Sequence, residues 1–128
     1  MSHSVNIKTQ FRNINTLLAQ FKTLGWEIVQ NSKCNTYPSD PRRDEFHRYV
    51  AKNPKGGYDI GVNVDEEGNA YFVCDFFDSS IQAQLGKNLS KVKQGYSISE
   101  IKKYLREEDM EYKIETLPSG EMVVTAEK

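Results

Sequence analysis

Cysteine and histidine are scarce in this chain of 128 residues, which contains only two of each. The cysteines, Cys34 and Cys74, lie far apart, and no C-x-x-C spacing occurs. Because a closed zinc site needs four clustered ligands, the sequence predicts neither a metal site nor a cofactor. One Cys34–Cys74 disulfide is conceivable, but no secretory signal opens the chain, so we expect reduced thiols in a cytosolic setting.

Long apolar runs are absent as well. The mean hydropathy is -0.67, and no stretch approaches the roughly 18–20 apolar residues that cross a bilayer. The sequence therefore predicts no membrane insertion. Six Phe, seven Tyr and one Trp are nonetheless ample for a core. We expect one domain over residues 1–128, since domains usually have about 100–150 residues.

A strong charge of either sign is also missing, because 17 basic and 18 acidic residues leave a net charge of -1. That balance argues against general affinity for nucleic acid, which depends mostly on neutralising phosphates. The charges are unevenly placed, however. Residues 1–64 carry 9 basic and 5 acidic side chains, a net +4, whereas residues 65–128 carry 8 and 13, a net -5. The asymmetry permits head-to-tail association of two copies, so a homo-oligomer is one alternative.

The apolar patterns predict an α+β fold. After Asn13, apolar residues form one helical stripe that ends before Gly25. The predicted order β-α-β-β-β-β-α(α)-β-β favours a mostly antiparallel sheet with helices packed on one face. Seven short stretches have the alternation or composition of strands, namely residues 4–11, 26–30, 45–52, 58–64, 70–77, 111–117 and 121–126.

A second helical stretch precedes the last two predicted strands. Ser79 or Ser80 is expected to cap it, and Gly86 and Gly95 are expected to interrupt it. Residues 97–100 match the capping box S-x-x-E, so a further helix is expected to begin there. The shared core is predicted to contain Leu17, Phe21, Trp26, Ile60, Val73, Ile101 and Val124.

Residues 31–44 contain two prolines and many turn-forming residues, so we expect a mobile loop, and long loops are often functional. The cluster of basic and aromatic residues begins there and continues into the next predicted strand. Arg and Tyr are enriched at interface hot spots, and the same chemistry stacks on bases and neutralises phosphates. We favour a protein partner over nucleic acid, with partner-binding residues Tyr37, Arg42, Arg43 and Arg48.

Several short motifs occur in an order that resembles one family. They are Ile7-Lys8-Thr9, Leu24-Gly25-Trp26, Gly57-Tyr58-Asp59-Ile60-Gly61, Asp75, Gln94 with Tyr96, and Met122-Val123-Val124. The chain resembles the hypothetical chloroplast open reading frame thirty-five family of cyanobacteria, algal plastids and cyanobacterial viruses, from which residues 31–53 and the last three residues depart. That family has no established reaction. The resemblance implies a setting (bacterial cytoplasm, host cytoplasm or plastid stroma) and a candidate patch of His3, Tyr58, Asp59, Asp75, Gln94 and Tyr96.

Few residues offer catalytic chemistry. Asp59 and Asp75 fall on neighbouring predicted strands and would act as acid and base, or hold a divalent cation, if they shared a face. The alternative is an exposed Asp59 and an Asp75 that caps the next helix. Cys34 is the more reactive cysteine candidate, but the fold would have to bring a histidine to it. His3 would bind copper or nickel only if Met1 were retained, and we favour a polar residue at the start of a strand.

Three functions follow from these observations. The first is a non-enzymatic binding or regulatory module in photosynthetic organisms or their viruses, which acts through the basic and aromatic loop. The second is a nucleic-acid-associated protein that uses the same cluster. The third is a small enzyme that uses Asp59 with Asp75, or Cys34.

Overall fold

A computed structural model describes residues 5–8, 11–76, 78–118 and 122–127. The α+β class and the order of elements are those predicted. His3 and residues 119–120 of the predicted final turn lie outside the described residues. The elements are β1 (Val5–Lys8), α1 (Ile14–Thr23), β2 (Glu27–Lys33), β3 (Phe46–Lys52), β4 (Ile60–Val64), β5 (Ala70–Cys74), α2 (Ser79–Leu85), a 3-10 turn (Lys87–Leu89), α3 (Ser90–Glu107), β6 (Glu111–Thr116) and β7 (Met122–Glu127).

Helix α1 begins and ends where its sequence predicts. The Asn13 side chain accepts a hydrogen bond from the Thr16 N–H at 3.3 Å, which satisfies one of the free donors of the first turn. The chain leaves the helix at Gly25 with a φ of +90°, a conformation that costs a glycine little. The buried stripe consists of Leu17, Leu18 and Phe21.

Five strands form one antiparallel sheet in the order β1-β5-β4-β3-β2. Strands β2 to β5 are consecutive along the chain and adjacent in the sheet. Strand β1 pairs with β5 instead, so the β1-α1-β2 segment runs from one edge of the sheet to the other. Strand β4 is therefore the central strand of the sheet. The candidate site described below lies on β4 and its two neighbours, β3 and β5.

The two faces of this sheet differ because side chains alternate along each strand. One face packs against the helices in a single cluster that includes Phe21, Trp26 and Phe72. The opposite face, which we call the second face, carries Val50 and Val73, both buried and both in register with Gly61 of β4. The segment between β2 and β3 covers part of this second face.

The helices after β5 differ from the prediction in two places. Asp78 caps α2, with its carboxylate accepting from Ser80 N at 2.7 Å and Ile81 N at 3.1 Å, so neither Ser79 nor Ser80 is the cap. The interruption at Gly86 is confirmed, since α2 ends there with a φ of +80°. The interruption at Gly95 is wrong, because α3 runs unbroken from residue 90 to 107.

The same helix overturns the predicted capping box. Ser97 lies inside α3, so the S-x-x-E spacing marks no helix start. Gly95 lies against the end of the Gln20 side chain of α1, which a Cβ at this position would contact. The low helix propensity of glycine does not interrupt α3.

Most of the residues predicted for the core are buried in the structure. Four of its members are at most 2% exposed and belong to the helix-side cluster, namely Leu17, Phe21, Trp26 and Ile60. Val73 is buried too, but on the second face of the sheet. Ile101 is wrong, since it is 36% exposed on α3. Val124 is half-buried on β7, outside that cluster.

The chain divides into two compact units, Met1–Tyr96 and Ser97–Lys128. The first contains the five-stranded sheet. In the second, β6 and β7 form a two-stranded antiparallel sheet in which Ile114 pairs with Val124. Its exposed large apolar side chains are Ile101, Tyr104, Tyr112, Leu117 and Val123. Over the described ranges, no helix combines the length and the apolar character needed to span a bilayer.

Candidate binding groove

A groove of about 280 Å³ lies on the second face of the sheet, beside the segment that joins β2 to β3. We call it the sheet groove. Strands β3, β4 and β5 supply its floor, and the joining segment supplies one wall. Its lining residues are Arg42, Glu45, Phe46, His47, Asn63, Tyr71 and Val73. Phe46 is the most exposed large apolar residue described, at 69%, so the groove combines an open aromatic ring with polar groups.

His47 is held in the floor of the sheet groove by Asn63. The Arg48 N–H donates to Asn63 Oδ1 at 2.9 Å, which turns the Asn63 amide nitrogen toward His47 Nδ1, also at 2.9 Å. Because that nitrogen can only donate, Nδ1 must accept, and the ring proton lies on Nε2. The neutral Nε2–H tautomer is thus selected by the network.

The electrostatic setting of His47 agrees with a neutral ring. Burial lowers the pKa of His47 below its ordinary value, since only 4% of the residue is exposed. Glu45 raises this pKa, Arg42 lowers it and Asp40 raises it. Protonation would also place an N–H on Nδ1 against the amide of Asn63. A neutral His47 therefore serves as a fixed part of the groove floor.

Gly61 is what allows the His47 ring to lie against the sheet. A Cβ built at Gly61 would lie 2.7 Å from two atoms of the imidazole, closer than any real Cβ contact. A glycine inside a strand often marks such a close approach. Gly61 is therefore the sequence signal that could have placed His47 in the site, and His47 was absent from the predicted site residues.

The segment that joins β2 to β3 is organised around Asp40. Strand β2 extends to Lys33, so residues 31–33 of the predicted loop are strand. Beyond it, the buried Asp40 carboxylate accepts from the Thr36 hydroxyl at 2.8 Å and from Arg42 N at 2.9 Å. Three further backbone hydrogen bonds form turns over residues 37–45. The segment has internal structure, and its mobility stays a prediction.

The four predicted partner-binding residues occupy different parts of this surface. Arg42 lines the sheet groove. Arg43 is exposed, and its guanidinium donates to Pro38 O at 3.1 Å. The exposed Arg48 lies over the Tyr49 ring, with Cζ 5.7 Å from the ring centroid. Of the four, the structure thus places only Arg42 in the groove wall.

Tyr37 lies elsewhere, next to a residue of the family patch. The ring centroids of Tyr37 and Tyr58 are 6.1 Å apart, in a tilted arrangement. Two further aromatic and basic residues, Phe46 and Lys33, meet at the groove: the Lys33 ammonium lies 5.2 Å from the Phe46 centroid. Phe46 is therefore a groove residue that was absent from the predicted partner-binding residues, and Lys33 lies beside it.

Asp59 is a buried structural anchor rather than an exposed carboxylate. It is 4% exposed. Its carboxylate accepts from the Asn35 N–H at 2.8 Å, from the Asn53 N–H at 2.9 Å and from the Lys52 ammonium at 3.2 Å. These bonds tie together the chain after β2, the end of β3 and the start of β4. They also occupy the carboxylate that an acid or base would need free.

The rest of the family patch is not one site. Tyr96 on α3 stacks on Phe11, with centroids 4.5 Å apart, and its hydroxyl accepts from the Asn13 N–H at 3.0 Å, at the start of α1. Asp75 is buried just beyond β5, where its carbonyl accepts from Asp78 N. Asp78, and not Asp75, caps the next helix, which corrects that expectation. Gln94 is exposed on α3.

Cys34 and Cys74 line one small void, together with His47 and Asp59. The fold thus brings a histidine and both cysteines to one void, which the sequence could not show. Burial raises the pKa of Cys34 to about 12, and Asp59 acts in the same direction. Burial also raises the pKa of Cys74 well above its usual value. Neither thiol is activated as a nucleophile in this state.

Within the described ranges, no group of three or more His, Cys, Asp or Glu side chains is arranged to hold a metal ion. The chain matches no protein-family profile, no curated protein and no solved structure.

Proposed function

We propose that this chain is a non-enzymatic binding or regulatory module that contacts a protein partner through the sheet groove. The observation that carries the proposal is the groove itself, with an exposed Phe46 beside Arg42 and a floor that contains the buried His47 and Val73. Aromatic and Arg side chains that enter a partner's pocket supply most of the energy at protein interfaces. The setting we propose is a photosynthetic cell or a virus that infects one, in the cytoplasm or the plastid stroma.

Two features favour a protein over nucleic acid as that partner. Glu45 lines the groove beside Arg42, and a carboxylate there repels phosphates. The Lys33 ammonium lies over the Phe46 ring and covers a face on which a base would stack. A protein segment can meet both charges at once, because its own side chains carry both signs.

The contacts of the candidate catalytic groups favour binding over catalysis. Asp59 is engaged by two backbone N–H groups and Lys52. The thiols of Cys34 and Cys74 have raised pKa values. Catalytic groups need a pKa matched to their task and access to substrate.

A second copy of the chain is the second candidate partner. The two-stranded sheet of the second unit presents a hollow lined by Glu111, Glu115 and Glu127 with a single lysine, Lys113. Lys113 is already paired with Glu115 at 2.7 Å. The acidic surface of one copy complements the Arg42 side of another, which would give a heterologous contact.

The test measures partner capture with groove variants. The full-length protein, immobilised, is exposed to lysate of a photosynthetic cell with and without nuclease. Phe46→Ser and the double variant Arg42→Glu with Arg43→Glu should each lose the captured protein by at least about tenfold, the effect of a hot-spot residue. Lys22→Glu with Lys55→Glu is the matched control, since it reverses two exposed charges that do not line the groove.

The outcomes separate the candidates. Loss of capture after nuclease treatment would show that the chain binds nucleic acid instead of a protein. A steep decrease of capture with rising salt concentration would indicate the same. Light scattering of the purified protein, alone, at low and high salt reports self-association. Capture that survives Phe46→Ser and the double Arg variant, with both variants folded by their urea midpoints, would refute the groove as the contact surface.

A further inference from the structure

Cys34 and Cys74 both lie beside the start of β4 although they are forty positions apart in the sequence. Asn35, next to Cys34, is joined to Asp59 twice: Asn35 N donates to Asp59 Oδ2 and Asp59 N donates to Asn35 O, both at 2.8 Å. Asp59 directly precedes β4. These bonds hold Cys34 beside the start of that strand.

Strand β5 brings Cys74 to the same point. Gly61 of β4 pairs with Val73 of β5, so the antiparallel register continues to Ile60 opposite Cys74. Both cysteines therefore flank the first residues of β4, Cys34 from the segment after β2 and Cys74 from the neighbouring strand. Independently of this register, both residues line a single void of about 10 Å³. Both thiols are free.

We propose that Cys34 and Cys74 are a thiol-oxidation site that closes an intrachain disulfide, with hydrogen peroxide as the oxidant. Cys34 releases its proton, the thiolate attacks one peroxide oxygen, and the O–O bond breaks; the leaving hydroxide takes up a proton and departs as water, and Cys34 becomes a sulfenic acid. Cys74 then releases its proton and its thiolate attacks the Cys34 sulfur; the S–O bond breaks, and the second hydroxide takes up a proton and departs as water. The two thiols lose two electrons in total, and the peroxide gains them. This inference does not rest on the proposed function.

The order of the two steps follows from access. Cys34 is partly exposed, whereas Cys74 is buried at 3% exposure. Peroxide therefore reaches Cys34 first, and Cys74 is the thiol that resolves the sulfenic acid. The finished disulfide would fix the chain after β2 to β5, so the segment that carries Arg42 could no longer lift from the sheet at that end.

The surroundings of the Cys34 thiol keep its oxidation slow at neutral pH. His47 lines the same void, but its Nδ1 lone pair is occupied by the Asn63 amide and its Nε2 carries a proton, so the ring takes no proton from a thiol. Burial raises the pKa of Cys34 to about 12. The thiolate fraction, and with it the rate, should rise about tenfold per pH unit between about pH 7 and 9.

The experiment treats the purified full-length protein with hydrogen peroxide at several pH values and quenches it with a maleimide. The native protein should lose both labelling sites and about 2 Da of mass without forming disulfides between chains, and a reducing thiol should restore it. The rate in urea-unfolded protein is the control, because unperturbed thiols near pKa 8.5 level off above about pH 9. A native rate that levels off in the same way would show that oxidation occurs only after unfolding, and would overturn the proposal.

Two single variants locate the steps. Cys74→Ser should stop at a Cys34 sulfenic acid that a dione probe traps, and Cys34→Ser should leave Cys74 reduced over the same time. Wild-type protein should give at least about tenfold less trapped adduct than Cys74→Ser, since resolution competes with the probe. Equal trapping in the two, or only disulfides between chains, would refute an intrachain pair.

Discussion

Replacement of Asp59 by Asn should destabilise the protein more than any equally conservative surface change. The carboxylate accepts two backbone N–H bonds, from Asn35 and Asn53, and is 3.2 Å from the Lys52 ammonium. An Asn side chain keeps one carbonyl oxygen for one of these donors. Its amide then points at the other N–H, which is left without an acceptor in a site that is 4% exposed.

The magnitude follows from these contacts. A buried donor left unsatisfied costs about 1–3 kcal/mol, and a hydrogen bond to a charged acceptor contributes about 1.5–3 kcal/mol. Lys52 is 38% exposed, so solvent screens its ion pair and the loss there is at most about 1 kcal/mol. We expect Asp59→Asn to lower the free energy of unfolding by about 2–4 kcal/mol in total.

Urea unfolding measures this change. For a small protein with a urea m-value of about 1–3 kcal/mol/M, the midpoint should fall by roughly 0.7–4 M. Asp44→Asn is the matched control: Asp44 is 85% exposed and 3.8 Å from Lys33, and its loss should change stability by no more than about 0.5 kcal/mol. If the two variants unfolded at the same urea concentration, Asp59 would not be the anchor described here.

Three further changes test the rest of the fold. Phe21→Ala removes a ring that is fully buried and should cost about 3–5 kcal/mol; an unchanged urea midpoint would contradict its place in the core. Tyr96→Phe leaves Asn13 N without its hydroxyl acceptor and should cost about 1 kcal/mol by thermal or urea unfolding, whereas a stabilised variant would contradict the contact. The folded-state pKa of His47 is below its ordinary 6.5, so the unfolded chain takes up the proton first as pH falls below about that value. Stability should therefore decrease on acidification from pH 7, and His47→Gln should reduce that dependence; an equal slope in both proteins would refute it.

The local signals of the sequence were sufficient for most of the elements. Asn13 caps α1 and Gly25 ends it because both residues act through their own backbone neighbourhood. The turn at residues 65–69 closes through Asp65, whose carboxylate accepts from the N–H of Glu67 and of Asn69, both at 2.9 Å. Features of this kind depend on residues a few positions apart, so a pattern can predict them.

The errors came from contacts between distant residues. Gly95 lies inside a continuous α3 and beside the Gln20 side chain of α1, a neighbour that the sequence of α3 does not indicate. Ile101 has helical spacing, yet it is exposed. The sheet groove was missed for the same reason, since the pair of His47 with Asn63 joins two strands whose register the sequence leaves open.

The arrangement of β1 has a consequence for how the chain folds during synthesis. Strands β2, β3 and β4 each pair with the next strand along the chain, so each hairpin can form as soon as that strand leaves the ribosome. Strand β1 is made first, but Lys8 pairs with Tyr71, and Val5 with Cys74. Closing so long a loop carries an entropic cost that short hairpins avoid, and such non-local pairs slow folding. The first strand synthesised is therefore expected to be the last to join the sheet, and until then β5 remains an open edge to which another strand can add.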